Sequence, residues 1–260
     1  MSPPAPDPGP ADTPDVAVVT GGSGGIGAAI VAALTAVGSR VCFTYLTNEA
    51  RAREFADRLA AGSGRVIALR ADVGREEDVS ALFRQVDDRL GRVSALVNNA
   101  AVIGREHRVA DTDAATLAGL WATNITGCFL CAREAVRRMS RSSGGSGGAI
   151  VNVSSMAGLR GGSETRVAYG ASKGAINAFT QGLAREVAAE GIRVNAVVPG
   201  YVDTDVHKSG DRPERLQRAV QAVPMKRVGR PEEIADAVLW LLSRRASFVT
   251  GTLVNVAGGA

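Results

Sequence analysis

From residue 16 onward, short runs of consecutive apolar residues alternate with longer segments in which apolar residues return every three or four positions. A run such as VAVV suits a strand buried on both faces, and the three-to-four spacing suits a helix laid over such a sheet. The runs fall at 16–20, 40–44, 66–71, 95–98, 149–154, 193–198 and 253–256, so seven strands are expected. The periodic segments fall at 26–37, 49–61, 76–90, 114–139, 168–189 and 231–242. Alternation of this kind predicts an α/β fold with a doubly wound, parallel seven-stranded sheet and crossover helices on both faces. Local punctuation agrees. Gly38 follows the first helical segment as its C′ residue, and Pro231 with Glu232 and Glu233 suits the opening turn of the last. The glycine-serine tract 142–148, between a helix and a strand, reads as a flexible connection without chemistry.

Composition narrows the classes. The chain has 260 residues, 45% hydrophobic and 22% charged, which allows one packed domain over 15–260 without disulfides or metals. Residues 1–14 are proline-rich without an apolar period and are expected to form a disordered tail. They lack the basic start and apolar run of a secretory signal, and no long uninterrupted apolar run predicts a membrane span, so a cytoplasmic protein with no membrane partner is expected. Cys42, Cys128 and Cys131, an odd number, read as reduced thiols. The pair Cys128 and Cys131 lies in an apolar helical stretch and reads as core. His107 and His207 have no companions, so no metal site is expected. The net charge of +4 is dispersed, with no basic run longer than a pair, which argues against nucleic acid as a partner.

The run TGGSGGIG, Thr20 to Gly27, stands between the first strand and the first helix. In that context a glycine-rich turn brings backbone N–H groups and the positive end of a helix to a pyrophosphate. Gly21, Ser23, Gly24, Gly25, Ile26 and Gly27 are therefore candidate contacts of a dinucleotide. Two frames fit: Gly22, Gly24 and Gly27 as G-x-G-x-x-G, or Gly21, Gly25 and Gly27 as T-G-x-x-x-G-x-G. Tyr169 and Lys173 lie four apart in a segment of helical period, so their side chains rise on one face. A phenol with an ordinary pKa of about 10 is a poor acid-base group at neutral pH. An adjacent ammonium, together with the positive ring of an oxidised nicotinamide, favours the phenolate. Only three lysines stand among thirty basic residues, which makes one at this spacing less casual.

Further motifs stand in register with these: Asp72-Val73 after the third strand, Asn98-Asn99-Ala100 after the fourth, Asn124 in the next helix, VNVSS at Val151, Tyr169-Gly-Ala-Ser-Lys173, and Pro199-Gly200 followed by Val202 and Thr204. On these motifs, which span essentially 15–260, the chain resembles the short-chain dehydrogenase/reductase family in its compact single-domain branch. The resemblance implies a Rossmann fold, with Gly21, Gly25 and Gly27 as the structural glycines. It implies Tyr169 as proton donor to a carbonyl or acceptor from an alcohol, and Lys173 as a ligand of the nicotinamide ribose hydroxyls. It implies Ser155, rather than Ser154, as hydrogen-bond partner of the substrate oxygen. By the same likeness, Asn124 holds a water that links Lys173 to solvent. Asp72, Val73, Asn99, Ala100, Pro199, Gly200, Val202 and Thr204 become cofactor contacts, with a mobile substrate lid near 200–223. A homotetramer is also implied, with the apolar stretch 248–256 available to a partner.

The sequence departs from the family pattern in places. Ala101 replaces the usual glycine of N-N-A-G, and the gap from Ser155 to Tyr169 is one residue longer than the commonest spacing, an insertion to be absorbed between Leu159 and Val167. At the end of the second strand Tyr45 stands where an NAD-dependent site places an acid for the ribose 2′-hydroxyl. With no carboxylate to repel a 2′-phosphate, NADP(H) is the expected cofactor, with NAD(H) second. The two positions where the family often has a basic residue hold Gly24 and Leu46, leaving Thr47, Asn48 and the nearby Arg51 as candidate phosphate ligands. The substrate is expected to be a small carbonyl compound or secondary alcohol, since the likeness extends to both 3-oxoacyl carrier-protein reductases and glucose-dehydrogenase-like enzymes. A non-catalytic dinucleotide-binding regulator or scaffold is the alternative, but it has no use for Asn124, Ser155, Tyr169 and Lys173 together. An epimerase or dehydratase of the longer branch needs a larger C-terminal domain.

Overall fold

The computed structural model describes residues 13–60, 65–204 and 220–260. Its strands are β1 (Val16–Val19), β2 (Arg40–Tyr45), β3 (Val66–Arg70), β4 (Ala95–Asn98), β5 (Gly148–Val153), β6 (Ile192–Pro199) and β7 (Leu253–Val256). They form one sheet in the order β3-β2-β1-β4-β5-β6-β7, with every pairing parallel. The chain starts at the centre with β1, winds out to β3, returns to β4 beside β1 and winds out to β7. This is a Rossmann-like sheet, and the reversal of strand order opens a crevice at the carboxyl ends of β1 and β4. The helices are α1 (Gly25–Ala36), α2 (Glu49–Ala60), α3 (Glu76–Arg89), α4 (Ala114–Trp121), α5 (Gly127–Met139), α6 (Ala157–Arg160), α7 (Val167–Val187) and α8 (Pro231–Leu242).

The two-faced burial follows from the strand period of two. Val16 and Val18 join Phe83 of α3, Cys131 and Met139 of α5 and Val187 of α7 on one face. Ala17 and Val19 join Ile30 and Leu34 of α1, Ala52 of α2 and Val238 and Leu241 of α8 on the other. Both faces of a central strand are thereby sealed, which is why its sequence is apolar at consecutive positions.

The strands and the expected helices lie within two residues of their expected bounds except in one place, and the short helix α6 was not expected. The segment 114–139 is not one helix: a π-helical turn, Ala122–Thr126, separates α4 from α5 and carries Asn124. By length and composition that run could cross a membrane. Here its second half packs on the sheet through Cys131, Ala132, Ala135 and Met139. The tract 142–148 also differs from the flexible connection expected. A β-carbon at Gly145 or Gly147 would collide with backbone carbonyls, and Arg92 donates to the carbonyls of Arg138, Ser143 and Gly144. Glycines stand there because the turn is tightly packed.

Candidate active site

The glycine turn sits between β1 and α1 at the crevice. Gly21 and Gly25 have φ of 65° and 53°, a region that side chains rarely adopt, and a β-carbon at Gly27 would collide with the Gly21 carbonyl. These backbone demands fall on Gly21, Gly25 and Gly27, the second of the two frames. The turn is tied down from both neighbouring strands. Thr44 Oγ1 accepts from Gly21 N at 2.9 Å, and Asn99 Nδ2 donates to the carbonyls of Thr20 at 2.9 Å and Gly21 at 3.0 Å. Thr20 Oγ1 accepts from the amides of Asn99 and Ala100, each at 3.0 Å.

The N-terminus of α1 has Gly24 as its cap, with no side chain bonding the first-turn amides. Those donors, the macrodipole and a cradle that β-carbons would fill together fit the diphosphate of a dinucleotide. Ser23 and Ile26 belong to the same turn, and Thr204 reaches it from beyond β6, its Cγ2 3.3 Å from where a Gly25 β-carbon would lie. The Arg51 guanidinium lies over Gly24 in the same way.

Other expected cofactor contacts have structural partners of their own. Asp72 Oδ1 accepts from Gly74 N at 2.9 Å, while Val73 lines a small cavity with Thr20 and Lys173. Asn48 Oδ1 accepts from Arg51 N at 3.0 Å at the start of α2, and Thr47 is exposed beside it. The Tyr45 side chain is 7% exposed and packs in the core with Phe43 and Ala52, so residue 45 presents no charge to the crevice. Pro199 ends β6, Gly200 N donates to Val256 O at 3.2 Å, and Val202 is buried. Ala101 is exposed. Residues 205–219 of the lid expected near 200–223, with His207, and residues 1–12 of the tail expected over 1–14 lie outside the described residues.

The chemical groups meet at the end of β5. Ser155 follows the strand, and Tyr169 and Lys173 share a face of α7. Ser155 Oγ accepts from Ala157 N at 3.1 Å and hydrogen-bonds the Tyr169 phenol. Ser154 turns the other way, buried, donating to Asn177 Oδ1 at 2.6 Å. Lys173 is buried, and its ammonium donates to Val153 O at 2.7 Å, 5.9 Å from the centre of the Tyr169 ring. Burial draws the Lys173 ammonium down to about 8. Burial also pushes the Tyr169 phenol up, against the Ser155 hydrogen bond and the charge of Arg166. Arg166 is thus a second cation near the phenol, one that the sequence did not single out, beside Lys173. Arg166 is held by Glu106 through two bonds of 3.0 and 2.7 Å.

Asn124 sits in the π turn with both ends of its amide engaged. Oδ1 accepts from Val102 N at 2.8 Å, and Nδ2 donates to Val102 O at 2.9 Å and Ser172 Oγ at 3.0 Å. It also borders the cavity that Lys173 and Cys128 line. All three cysteines are buried and unpaired, and burial raises the Cys42 and Cys128 thiols to about 12.

What the sequence reading did not single out is the packing that sets these distances. A β-carbon at Gly158 would stand 2.6 Å from the Lys173 backbone carbon, and one at Gly170 would strike Gly161. α6 and α7 therefore touch backbone to backbone and hold Ser155 against Tyr169. The longer loop is taken up by Gly161 and Gly162, both at positive φ, and by His107 N donating to Thr165 O. A small-x-x-small pattern was the only signal available for such contacts, and Thr44, a β-branched strand residue, carried none.

Among families of known proteins, the one described as enoyl-(acyl carrier protein) reductase matches residues 21–260. The chain is 46% identical over 244 residues to the uncharacterized oxidoreductase YgfF of Escherichia coli (strain K12), covering 94% of this chain and 99% of the relative. It is 38% identical to 2-(S)-hydroxypropyl-CoM dehydrogenase 3 of Xanthobacter autotrophicus (strain ATCC BAA-1158 / Py2), over 94% of this chain and 96% of the relative. It is 33% identical to the 3-oxoacyl-[acyl-carrier-protein] reductase of Synechocystis sp. (strain ATCC 27184 / PCC 6803 / Kazusa), over 95% of this chain and 97% of the relative.

Proposed function

Since the chain belongs to the short-chain dehydrogenase/reductase family and is an NAD(P)-dependent oxidoreductase, we propose that it interconverts a carbonyl and a secondary alcohol with Tyr169 as general acid and base. The observation that carries this reading is the convergence of Ser155, Tyr169 and Lys173 beside the glycine cradle. A bound nicotinamide cofactor supplies or takes up the hydride. In the reductive direction Tyr169, kept protonated by burial, gives its proton to the carbonyl oxygen, and the Ser155 hydroxyl donates to that oxygen as charge builds on it. Lys173, anchored on Val153 O, orients the nicotinamide ribose. Asn124 fixes the segment around Val102 and Ser172 so that the wall of the site keeps its shape.

The end of β2 carries no carboxylate in residues 44–48, and Tyr45 is core, which supports NADP(H) as the preferred cofactor with NAD(H) as the second. The substrate class stays broad: a 3-oxoacyl thioester, a sugar or polyol, or another ketone. The fully exposed Phe248 and half-exposed Phe129 support assembly as a homotetramer, and the reduced thiols support a cytoplasmic setting.

A panel of ketones and alcohols, followed by nicotinamide absorbance with each cofactor, tests the reading. Tyr169→Phe should lower kcat by roughly 10² to 10⁴ with cofactor affinity retained. Ser155→Ala should reduce kcat far more than Ser154→Ala. Full turnover by Tyr169→Phe would sink the mechanism, and a kcat/KM higher for NADH than for NADPH would sink the cofactor preference alone.

A further inference from the structure

The loop between Ser155 and Tyr169 ends on Arg166, which stands just before α7 and one helical turn ahead of the phenol. Its backbone is fixed from several sides. The amide donates to Ser163 O and the carbonyl accepts from Gly170 N, each at 3.0 Å, and a β-carbon at Gly162 would lie 2.4 Å from that carbonyl. The guanidinium is held as well. Its side chain is 19% exposed, against 56% for Glu106, whose Oε1 accepts from Nε at 3.0 Å and from Nη2 at 2.7 Å. The neighbouring His107 N donates to Thr165 O at 3.0 Å, so the segment after β4 grips the start of α7 through a backbone bond and an ion pair. With one partner more than half exposed, such a pair adds little stability by itself. What it secures is the place of the cation.

Among the described residues, the groups arranged about the Tyr169 phenol are Ser155 from the end of β5, Lys173 one turn further along α7, and Arg166 one turn back. Glu106 and His107, from the segment after β4, meet them through Arg166 and Thr165. The two cations differ in how long they stay charged. Burial draws the Lys173 ammonium down to about 8, while burial pushes the phenol above its ordinary value of 10. In the cofactor-free protein the ammonium therefore gives up its proton before the phenol does. A guanidinium keeps its charge throughout that range. Of the two, Arg166 is the cation still present when the phenolate forms.

Resting on the reading of Tyr169 as general acid and base, we infer that Arg166 is a positioning residue of the reaction: it acts through Tyr169, as a permanent positive charge seated by Glu106 that stabilises the phenolate independently of Lys173. Taking a proton from an alcohol is the direction that needs a phenolate, so this charge serves alcohol oxidation in alkaline conditions.

The test follows the phenol itself and needs neither substrate nor cofactor. The chain has three tyrosines, so the ultraviolet signal of tyrosinate after a stopped-flow jump to alkaline pH, less that of Tyr169→Phe, isolates Tyr169 before the protein unfolds. Arg166→Gln should move its midpoint up by roughly one pH unit, and Lys173→Met should leave it nearly in place. The sign separates charge from structure, because a loop merely loosened by the change would expose the phenol and bring its midpoint down. A midpoint that stays or falls in Arg166→Gln, or a shift as large in Lys173→Met, overturns the inference. With an alcohol that the protein oxidises, the rise of kcat with pH should move up in Arg166→Gln by a similar amount, and a rise that stays in place overturns the part of Arg166 in the reaction. The turnover of Tyr169→Phe decides the acid-base reading separately, so either can fail alone.

Discussion

Lys173 is 4% exposed, and its one-carbonyl anchor on Val153 does not replace the water it has lost, so its ammonium titrates at about 8 instead of the ordinary 10.5. The folded protein therefore holds this proton less tightly than the unfolded chain. Between about pH 8 and pH 10.5 the unfolded chain carries the extra proton, and stability rises with pH across that window. Removing the group removes the slope. Without cofactor, Lys173→Met should give a stability curve lacking the rise, which amounts to roughly 3 kcal/mol in the parent protein. Urea midpoints of both proteins at pH 8 and pH 10 read the difference, and parallel curves would contradict a buried, titrating Lys173. The same variant should lose both cofactor affinity and rate, because the proposed ribose contact and the site's positive charge reside in one side chain. At this scale the sequence was informative about which residues share a face and silent about partners. Tyr169 and Lys173 were readable from a spacing of four, whereas the partner that holds Arg166, three residues before the phenol, is Glu106, sixty residues away.

The elements that set the site are α6 and α7, and their contact is made of backbone. Gly158 lies against Lys173 and Gly174, and Gly170 lies against Gly161 and Gly162, so neither position has room for a methyl group. Gly170→Ala should push the start of α7 away from α6, costing about 1–3 kcal/mol of stability and separating Tyr169 from Ser155. Guanidinium melts and steady-state kinetics together check this. The expected pattern is a lower midpoint with a fall in kcat and little change in KM for the cofactor, since the glycine cradle lies on another element. An unchanged kcat would mean that the helix contact does not set the Ser155 to Tyr169 geometry. Most elements were legible because their apolar periods are strong, down to the Gly38 turn and the Pro231 start of α8. The π turn inside 114–139 was not, since one extra residue per turn leaves the three-to-four spacing almost unchanged while it moves Asn124 onto Val102 and Ser172.

On the scale of the whole molecule, one face of the sheet is stapled by a buried carboxylate. Glu134 of α5 is 6% exposed and is met by Arg133, Arg137 and Arg138, the last of which also holds Asp87 of α3 at 2.8 Å. Burial works against the charged carboxyl, but the hydrogen bond and charge of Arg138, with Arg137 and Arg133, outweigh it and leave the group below the usual carboxylate range. Its contribution is therefore complete above the ordinary carboxylate range and is lost as pH falls through the lowered value. Glu134→Gln should lower the melting temperature clearly at pH 7, by leaving three guanidinium groups without their carboxylate, and much less at pH 3. A deficit of the same size at both values would rule out the ionised carboxylate as the cause. What the sequence determined by itself was the class of the molecule: a seven-stranded doubly wound sheet, a phosphate turn in its proper context, and a Tyr-Lys pair on one helical face. Those follow from periodicity and short spacings, which are properties of neighbours in the chain. What only the tertiary structure decided was which of two serines faces the phenol, why the tract 142–148 is rich in glycine, that Tyr45 belongs to the core, and that Arg51 lies over Gly24. Each of these depends on groups from different elements meeting across the crevice or the sheet, and such distances are set by packing, on which local spacing carries no information.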